Sequence, residues 1–369
     1  MKRLLLIGAG HAHLTVLRAL RREPPADVEI TLITPWPRQV YSGMLPGWIA
    51  GHYALDACVI PLAPLLDGGP IRWLQDSVTA LDLTRRCAHT EGGTQVEFDL
   101  VSIDTGAVAA IDDLPGAREH AQPIRPIERF IERWPHWLAA CEASPNTPQL
   151  LTVVGGGAAG VEVALAMAWR TRALPGVRIQ LVTGSGGLLA GFPKQAQRKI
   201  SAQLERARVE VIHDQVTAVE ATAVRLAQRG SLRSDRTLLV TGTAAAEWPR
   251  ESGLAIDAAG FIAIDTTRRS TSHPFVFAAG DCASVVGHPR PRSGVHAVRA
   301  GPVLADNLGR ALRGTPLRTV IPQRRALYIL AAGRRSAIAC WGPWTVAGDW
   351  VWRWKDRIDR RFMQTFRCG

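Results

Sequence analysis

The chain has 369 residues, 47% of them hydrophobic, which is enough for two domains that each bury a core. Its formal charge of +12 would ordinarily suggest nucleic acid or an acidic surface as partner. Only Lys2, Lys194, Lys199 and Lys355 are lysines, however, so the excess is diffuse arginine in a chain rich in Ala, Gly and Pro; the lack of a basic block with interleaved aromatics argues against nucleic acid. The six cysteines, Cys58, Cys87, Cys141, Cys282, Cys340 and Cys368, have no CxxC or metal-ligand spacing, so a reduced, cytoplasmic protein without a metal is expected. No apolar run approaches the roughly 18 to 20 residues that a membrane-spanning helix needs.

The opening MKRLLLIGAG imitates a secretory leader, but its apolar run is short and leads directly into a glycine loop, so Arg3 to Ile7 is predicted as the first strand. Gly8-Ala9-Gly10 turns the chain into a periodic segment, His11 to Arg22, with Leu14, Leu17 and Leu20 as its buried stripe. Gly8 permits a tight turn, Gly10 lets the backbone approach a pyrophosphate, and the helix start offers N–H donors and a positive dipole end. His13 stands where a third glycine is usual, so either the helix is displaced or the side chain is aimed at the sheet or the site. The next strand, Val28 to Ile33, ends at Thr34 instead of a ribose-binding acid, and a hydroxyl makes a weaker bond there. Alone, this loop is also read as an accidental glycine turn.

Phe98 to Gly106 is an apolar strand ending in Thr105-Gly106. Leu150 to Val154 is a strand before a complete Gly155, Gly157, Gly160 loop, and a helix follows through Val163, Leu165 and Met167. Glu162 lies early in that helix, where an acid is also simply favourable in a first turn. The strand Val177 to Val182 ends at Thr183, again without the ribose acid, so the sequence selects neither NADH nor NADPH. Thr237 to Val240 leads to Thr241-Gly242, and Phe275 to Ala279 leads to Gly280-Asp281. Two glycine loops about one small domain apart imply two nucleotides, most simply a flavin and a nicotinamide dinucleotide.

Thr105-Gly106 and Gly280-Asp281, in this order with the two loops, resemble the two-dinucleotide flavoproteins, the pyridine nucleotide-disulfide oxidoreductases in the broad sense. The resemblance implies an α/β fold of two Rossmann-like dinucleotide-binding domains plus a C-terminal extension. An FAD domain would span residues 1–118 and 262–320, an inserted NAD(P) domain 119–261, and a strand and Trp-rich helix 321–369. Gly8, Gly10, His11, Thr34, Thr105, Gly106, Gly280 and Asp281 are then expected at non-covalent FAD, Asp281 on its ribityl chain. The helix opened by Ser293 to Pro302 would point its start at the pyrimidine edge of the ring, with His296 and Ala297 in backbone contact; His296 facing solvent is the alternative. Gly155, Gly157, Gly160, Glu162, Thr183 and Gly242 are expected at NADH or NADPH, with Glu162 near the nicotinamide ribose or the flavin.

Neither CxxC nor CxxxxC occurs, which leaves the branches similar to type II NADH dehydrogenases and sulfide:quinone reductases. In both, a segment after the second strand lies against the flavin, and Tyr41 to Trp48 fits that position. The wording YSGMLPGWIAGHY looks most like a subgroup found alone or fused ahead of selenide, water dikinase. Val295, Arg299 and Ala300 stand where the NADH dehydrogenases keep glutamines on the quinone side. The expected activity is transfer of electrons from NADH or NADPH through FAD to a quinone-like or other small acceptor. One alternative oxidises a sulfide or selenide species with Cys340 as carrier, Cys340 otherwise being a buried strand cysteine. Another makes the chain a flavin-binding partner without turnover. In the tail, Trp350, Trp354, Ile358, Phe362 and Phe366 are predicted to form one helical stripe flanked by Lys355, Arg357, Arg360 and Arg361. That stripe would meet the cytoplasmic face of a membrane or a homodimer partner, or, as Asp356 and Asp359 favour, the body of its own chain.

Overall fold

The computed structural model describes residues 1–323 and 325–367; Cys368 lies outside them. Two parallel sheets organise the chain. The first uses β1 (Lys2–Ile7), β2 (Val28–Ile33), β3 (Ile71–Leu74), β4 (Leu100–Ile103) and, far along the sequence, β10 (Val276–Ala278), in the order β10-β4-β1-β2-β3. Leu4 pairs with both Ile30 and Leu100, and Leu4 to Ile7 are all buried. A parallel strand covered on both faces has no polar alternation, and this explains the unbroken apolar run. Helix α1 (His11–Arg22) crosses from β1 to β2 and buries Leu14, Leu17 and Leu20, as its periodicity predicts.

The second sheet lies between the strands of the first in sequence. It runs β5-β9-β6-β7-β8, formed by β5 (Ala121–Pro123), β6 (Gln149–Val154), β7 (Val177–Thr183), β8 (Glu210–His213) and β9 (Arg236–Leu239). Helix α4 (Ala158–Arg170) links β6 to β7; α2 (Leu45–Ile49) and α3 (Ile127–Ala143) pack into the same apolar cluster as its sheet. Helix α5 (Gly294–Arg313) crosses α1 where a Cβ on Gly301 would stand 2.7 Å from Thr15 Oγ1, so only glycine permits that approach.

A third, antiparallel sheet of β11 (Leu327–Ala331), β12 (Ala337–Trp341) and β13 (Trp344–Gly348) leads into α6 (Asp349–Arg367). Helix α6 docks on the body of its own chain through Val351, Asp359, Met363 and Phe366. The expected single aromatic stripe is split. Trp350, Trp354 and Ile358 are exposed, Phe362 is partly buried and Phe366 is buried. The reason is geometric: at about 100° per residue, a fourth-residue repeat drifts by about 40° per step, so about 160° separates its first and last members.

Candidate functional site

The first glycine loop is closed by the chain's own Asp104. Gly8 has φ +82°, and Gly10 N–H donates to the Asp104 carbonyl at 3.1 Å. The Asp104 carboxylate accepts Ala12 N–H and His13 N–H, both at 2.8 Å, and a Cβ on either Gly10 or Gly280 would collide with it. At 2% exposure, burial pushes this acid up to about 7 against the pull of those two bonds, and the nearby Asp281 charge pushes the same way. His13 points at the sheet. Its Nδ1 meets the Gly8 carbonyl at 2.6 Å, so Nδ1 carries the proton and Nε2 accepts from the Ser102 hydroxyl at 2.8 Å. Burial holds His13 down to about 4, hence neutral. Side-chain ties thus fix α1 against β4, a role that the missing third glycine fills by close packing.

Around Asp281 several buried polar atoms lack partners, although Arg290 and Arg292 each use another nitrogen, on the Pro322 carbonyl and on Asp257. Asp281 accepts from Arg125 Nη2 at 3.1 Å, and its charge reaches His11, Arg292 and His296. Among the described residues eight buried side-chain polar atoms have no hydrogen-bond partner. Five of them, His11 Nε2, Arg268 Nε, Arg290 Nε, Arg292 Nε and Ser293 Oγ, belong to this region, so the deficit is local and points to a missing polar ligand. Burial holds His11 down to about 4, opposed by Asp281 and aided by Arg125. Gly106, φ +75°, has open space where a Cβ would project. Orphaned donors and a bare backbone beside a carboxylate fit a flavin dinucleotide with its ribityl hydroxyls on Asp281. Thr34 is buried at the end of β2 and Thr105 is exposed after β4.

The start of α5 corrects one expectation. The backbone N–H groups of His296 and Ala297 both donate to the Ser293 carbonyl, at 3.0 and 3.3 Å, and are not free to meet a ring. The first turn of a helix has no internal partners for its leading N–H groups, so at this helix start those of Gly294 and Val295 are the ones left open. His296 is not a solvent-facing residue either: it is half-buried, with Nε2 3.5 Å from the Tyr328 hydroxyl, and burial, then Arg290 and Arg299, hold it below its ordinary value.

In the second loop Gly155 has φ +135°, a Cβ on Gly160 would collide with the Gly155 carbonyl, and Gly157 faces open space, as does Gly242. That is the pattern of a tight turn, a packed helix and a backbone left bare for a pyrophosphate. Thr183 is fully buried, with its hydroxyl 3.2 Å from His213 Nδ1, so it turns away from any ribose. Glu162 falls in the second turn of α4, not the first, and its Oε1 accepts Ala331 N–H at 2.7 Å. Burial pushes it up to about 7 despite the Lys355 charge.

Helix α6 grips the segment after β2. Lys355 Nζ donates to the Gly43 carbonyl at 2.5 Å and to Asp359 Oδ2 at 2.6 Å; Tyr41 donates to Asp359 Oδ1 at 3.2 Å and stacks on Phe362 with ring centroids 4.5 Å apart. The i,i+4 spacing of Lys355 and Asp359 was the signal available in the sequence. Cys340 is 3% exposed inside β12, packed in the same cluster as Leu330 and Ile338, and burial pushes its thiol up.

The profile of the pyridine nucleotide-disulphide oxidoreductases matches residues 2–301, and the chain belongs to that family. It is therefore a flavoprotein oxidoreductase that works with FAD and NADH or NADPH. It is similar to the NADH dehydrogenase-like protein MT1860 of Mycobacterium tuberculosis, 27% identical over 303 residues that cover 77% of this chain and 73% of the relative. A type II NADH:quinone oxidoreductase, Ndh of the same species, is 24% identical over 95% of this chain and 82% of its own. The sulfide:quinone oxidoreductase structure from Aquifex aeolicus superposes with a TM-score of 0.81 at 20% identity, covering all of this chain and 92% of that one. No helix among the described residues is long and apolar enough to cross a membrane.

Proposed function

We infer that the chain oxidises NADH or NADPH and delivers the two electrons to a quinone. The observation that carries this reading is the ring of unpartnered donors around Asp281 in a chain whose relatives include named NADH:quinone oxidoreductases. In this reading residues 1–118 and 262–320 form the FAD domain, and residues 119–261 the nicotinamide domain. When bound, the flavin supplies a two-electron acceptor for hydride and a donor to the quinone. Asp281, His11 and Arg125 would hold its ribityl and phosphate portions, and Gly157 would leave the backbone open to the nicotinamide dinucleotide. The N–H groups of Gly294 and Val295, at the positive end of α5, would stabilise negative charge at the pyrimidine edge. Reduction of a quinone by NADH also consumes a proton from solution. Glu162, pushed up to about 7, exchanges a proton at its carboxyl near neutral pH and lies beside the Lys355 and Asp359 pair.

The exposed Trp341, Trp344, Trp350, Trp354 and Ile358, with Arg353, Arg357 and Arg361 exposed along α6, support peripheral contact with the surface of a membrane that holds the quinone. A thiol raised by burial makes Cys340 a poor sulfur carrier, which disfavours the sulfide reading. Anaerobic titration tests the proposal: NADH or NADPH should bleach the flavin absorbance, and a soluble quinone such as menadione should restore it. A flavin that stays oxidised with both nucleotides, or a reduced flavin that menadione leaves bleached, would reject it.

A further inference from the structure

The arginine excess that looks diffuse in the sequence converges at one place in the fold. A cavity of about 450 Å³ opens where four distant segments meet: Gly51 and His52 after α2, the end of α4, the turn between β11 and β12, and Asp349 at the start of α6. Arg170, Arg172, Arg334 and Arg335 line it against a single carboxylate, Asp349. A neighbouring cavity of about 630 Å³ shares Arg172 and Arg334 and adds Arg178, Arg206 and Arg208 against Glu210. Seven guanidinium groups therefore line the two cavities with two carboxylates, and a third acid, Glu142, pairs with Arg170 from outside the lining.

Two of these arginines are held by aromatic rings and not by acids. Arg172 lies over the Trp169 ring with its Cζ 4.0 Å from the centroid, and Arg335 lies 5.5 Å over Trp352. Among the described residues no carboxylate oxygen comes within 4.0 Å of either guanidinium, whereas Arg170 and Arg334 pair with Glu142 and Asp349 at 3.4 and 3.5 Å. Arg172 Nη1 also donates to the Trp169 carbonyl at 2.6 Å, which leaves its other edge donors, and those of Arg335, for an anionic acceptor. His52 feels the same field: burial, then Arg335 and Arg172, hold it below its ordinary value, against its bond to the Gly333 carbonyl at 2.8 Å.

The position is separate from the nicotinamide loop. Val177 to Gln180 and Glu210, which line the second cavity, are at the starting ends of β7 and β8, whereas Gly155 to Gly160 follow the finishing end of β6. Dinucleotides bind at the finishing ends of such strands, and the length of β7 puts the two edges about 20 Å apart.

We propose that this arginine-lined pair of cavities is a second anion site, built for a phosphate- or diphosphate-bearing ligand and independent of the flavin and nicotinamide sites. Its charge belongs to residues from several distant segments, so an occupant would bridge them. The proposal does not depend on the identity of the electron acceptor.

The test uses the FAD-loaded full chain with NAD⁺ saturating the nucleotide loop, titrated calorimetrically with inorganic pyrophosphate. The wild-type chain should bind, and Arg172→Ala/Arg335→Ala should bind about tenfold or more weakly, because a single charge-assisted hydrogen bond accounts for about one order of magnitude in affinity. The flavin absorbance and melting temperature of the variant check that it is folded. Asp349→Asn, which removes a lining carboxylate, should bind more tightly than wild type. Parallel flotation with phosphatidylglycerol and with phosphatidylcholine vesicles separates the sources: loss of phosphatidylglycerol binding in the double variant identifies a lipid headgroup, and loss of pyrophosphate binding alone a soluble ligand. Pyrophosphate and vesicle affinities that the double substitution leaves unchanged would overturn the site.

Discussion

Asp104 accepts the backbone N–H of His13 at 2.8 Å and thereby takes, from inside the chain, a donor at a helix start that dinucleotide folds offer to phosphate. A fixed anion at that point lies close to where the flavin pyrophosphate is expected. Asp104→Asn keeps an acceptor for the helix but removes the charge, so it should bind FAD more tightly than wild type above pH 7. Fluorescence titration with FAD checks this; equal affinities for the two proteins at pH 8 would contradict it.

The same acid sets a sign for stability against pH. Its folded value of about 7 exceeds the ordinary 3.8, so between about pH 4 and 7 the folded chain binds the extra proton and loses stability as pH rises. His13, held down to about 4 from 6.5, acts in the opposite sense: its contribution is lost as pH falls through the same window. Urea unfolding of the FAD-free chain should show Asp104→Asn losing less stability than wild type between pH 5 and 7.

The glycines of the second loop should separate binding from folding. Gly157→Ala introduces a methyl into open space, so its melting temperature should match wild type while KM for NADH or NADPH rises. Gly160→Ala forces a methyl against the Gly155 carbonyl and should lower the melting temperature itself. A Gly157→Ala protein with unchanged KM would remove the loop from nucleotide binding.

Lys355 and Asp359 have side chains 11% and 5% exposed, so either substituted alone leaves a buried charge. Lys355→Met should cost about 3–5 kcal/mol of unfolding free energy, and Lys355→Met/Asp359→Asn clearly less than the sum of the two single changes. Denaturant unfolding of the four proteins measures the cycle, and additive effects would mean that the pair does not act as a unit.

Cys340→Ala should retain full NADH or NADPH turnover, since the thiol packs in β12 and is raised by burial; its measurable effect should be a stability loss on the order of 1 kcal/mol from the small cavity. Trp350→Ser/Trp354→Ser, by contrast, removes exposed rings and should abolish flotation with anionic vesicles without lowering the melting temperature.

What the sequence disclosed, and what it hid, divides along a physical line. Gly155, Gly157 and Gly160 were legible because their spacing falls within six residues, although only Gly160 answers a local steric demand, against the Gly155 carbonyl; a Cβ on Gly155 would meet Val240, far along the chain. Asp104 was not: as the residue before Thr105 it looks like the tail of a strand, and its partners Ala12 and His13 are some ninety positions away. The helix was expected to open at Ser293, as it does, but His296 and Ala297 lie two positions past the free N–H groups, since Ser293 is the cap and spends its carbonyl on those two residues. Likewise, fourth-residue aromatics in the tail suggested one face because their drift accumulates slowly. The clustering of Arg172 and Arg335 depends on the end of α4 meeting the turn between β11 and β12, which spacing along the chain does not encode.

The bond from Tyr41 to Asp359 joins positions 318 apart, and Lys355 to Gly43 is nearly as long a reach. The segment of residues 41 to 47 is thus held from two sides, by Tyr41 N–H on the nearby Cys58 carbonyl at 2.8 Å and by α6 from the far end of the chain. Loosening that helix would free one side of the segment and leave both glycine loops as they are, so the two kinds of element can open independently.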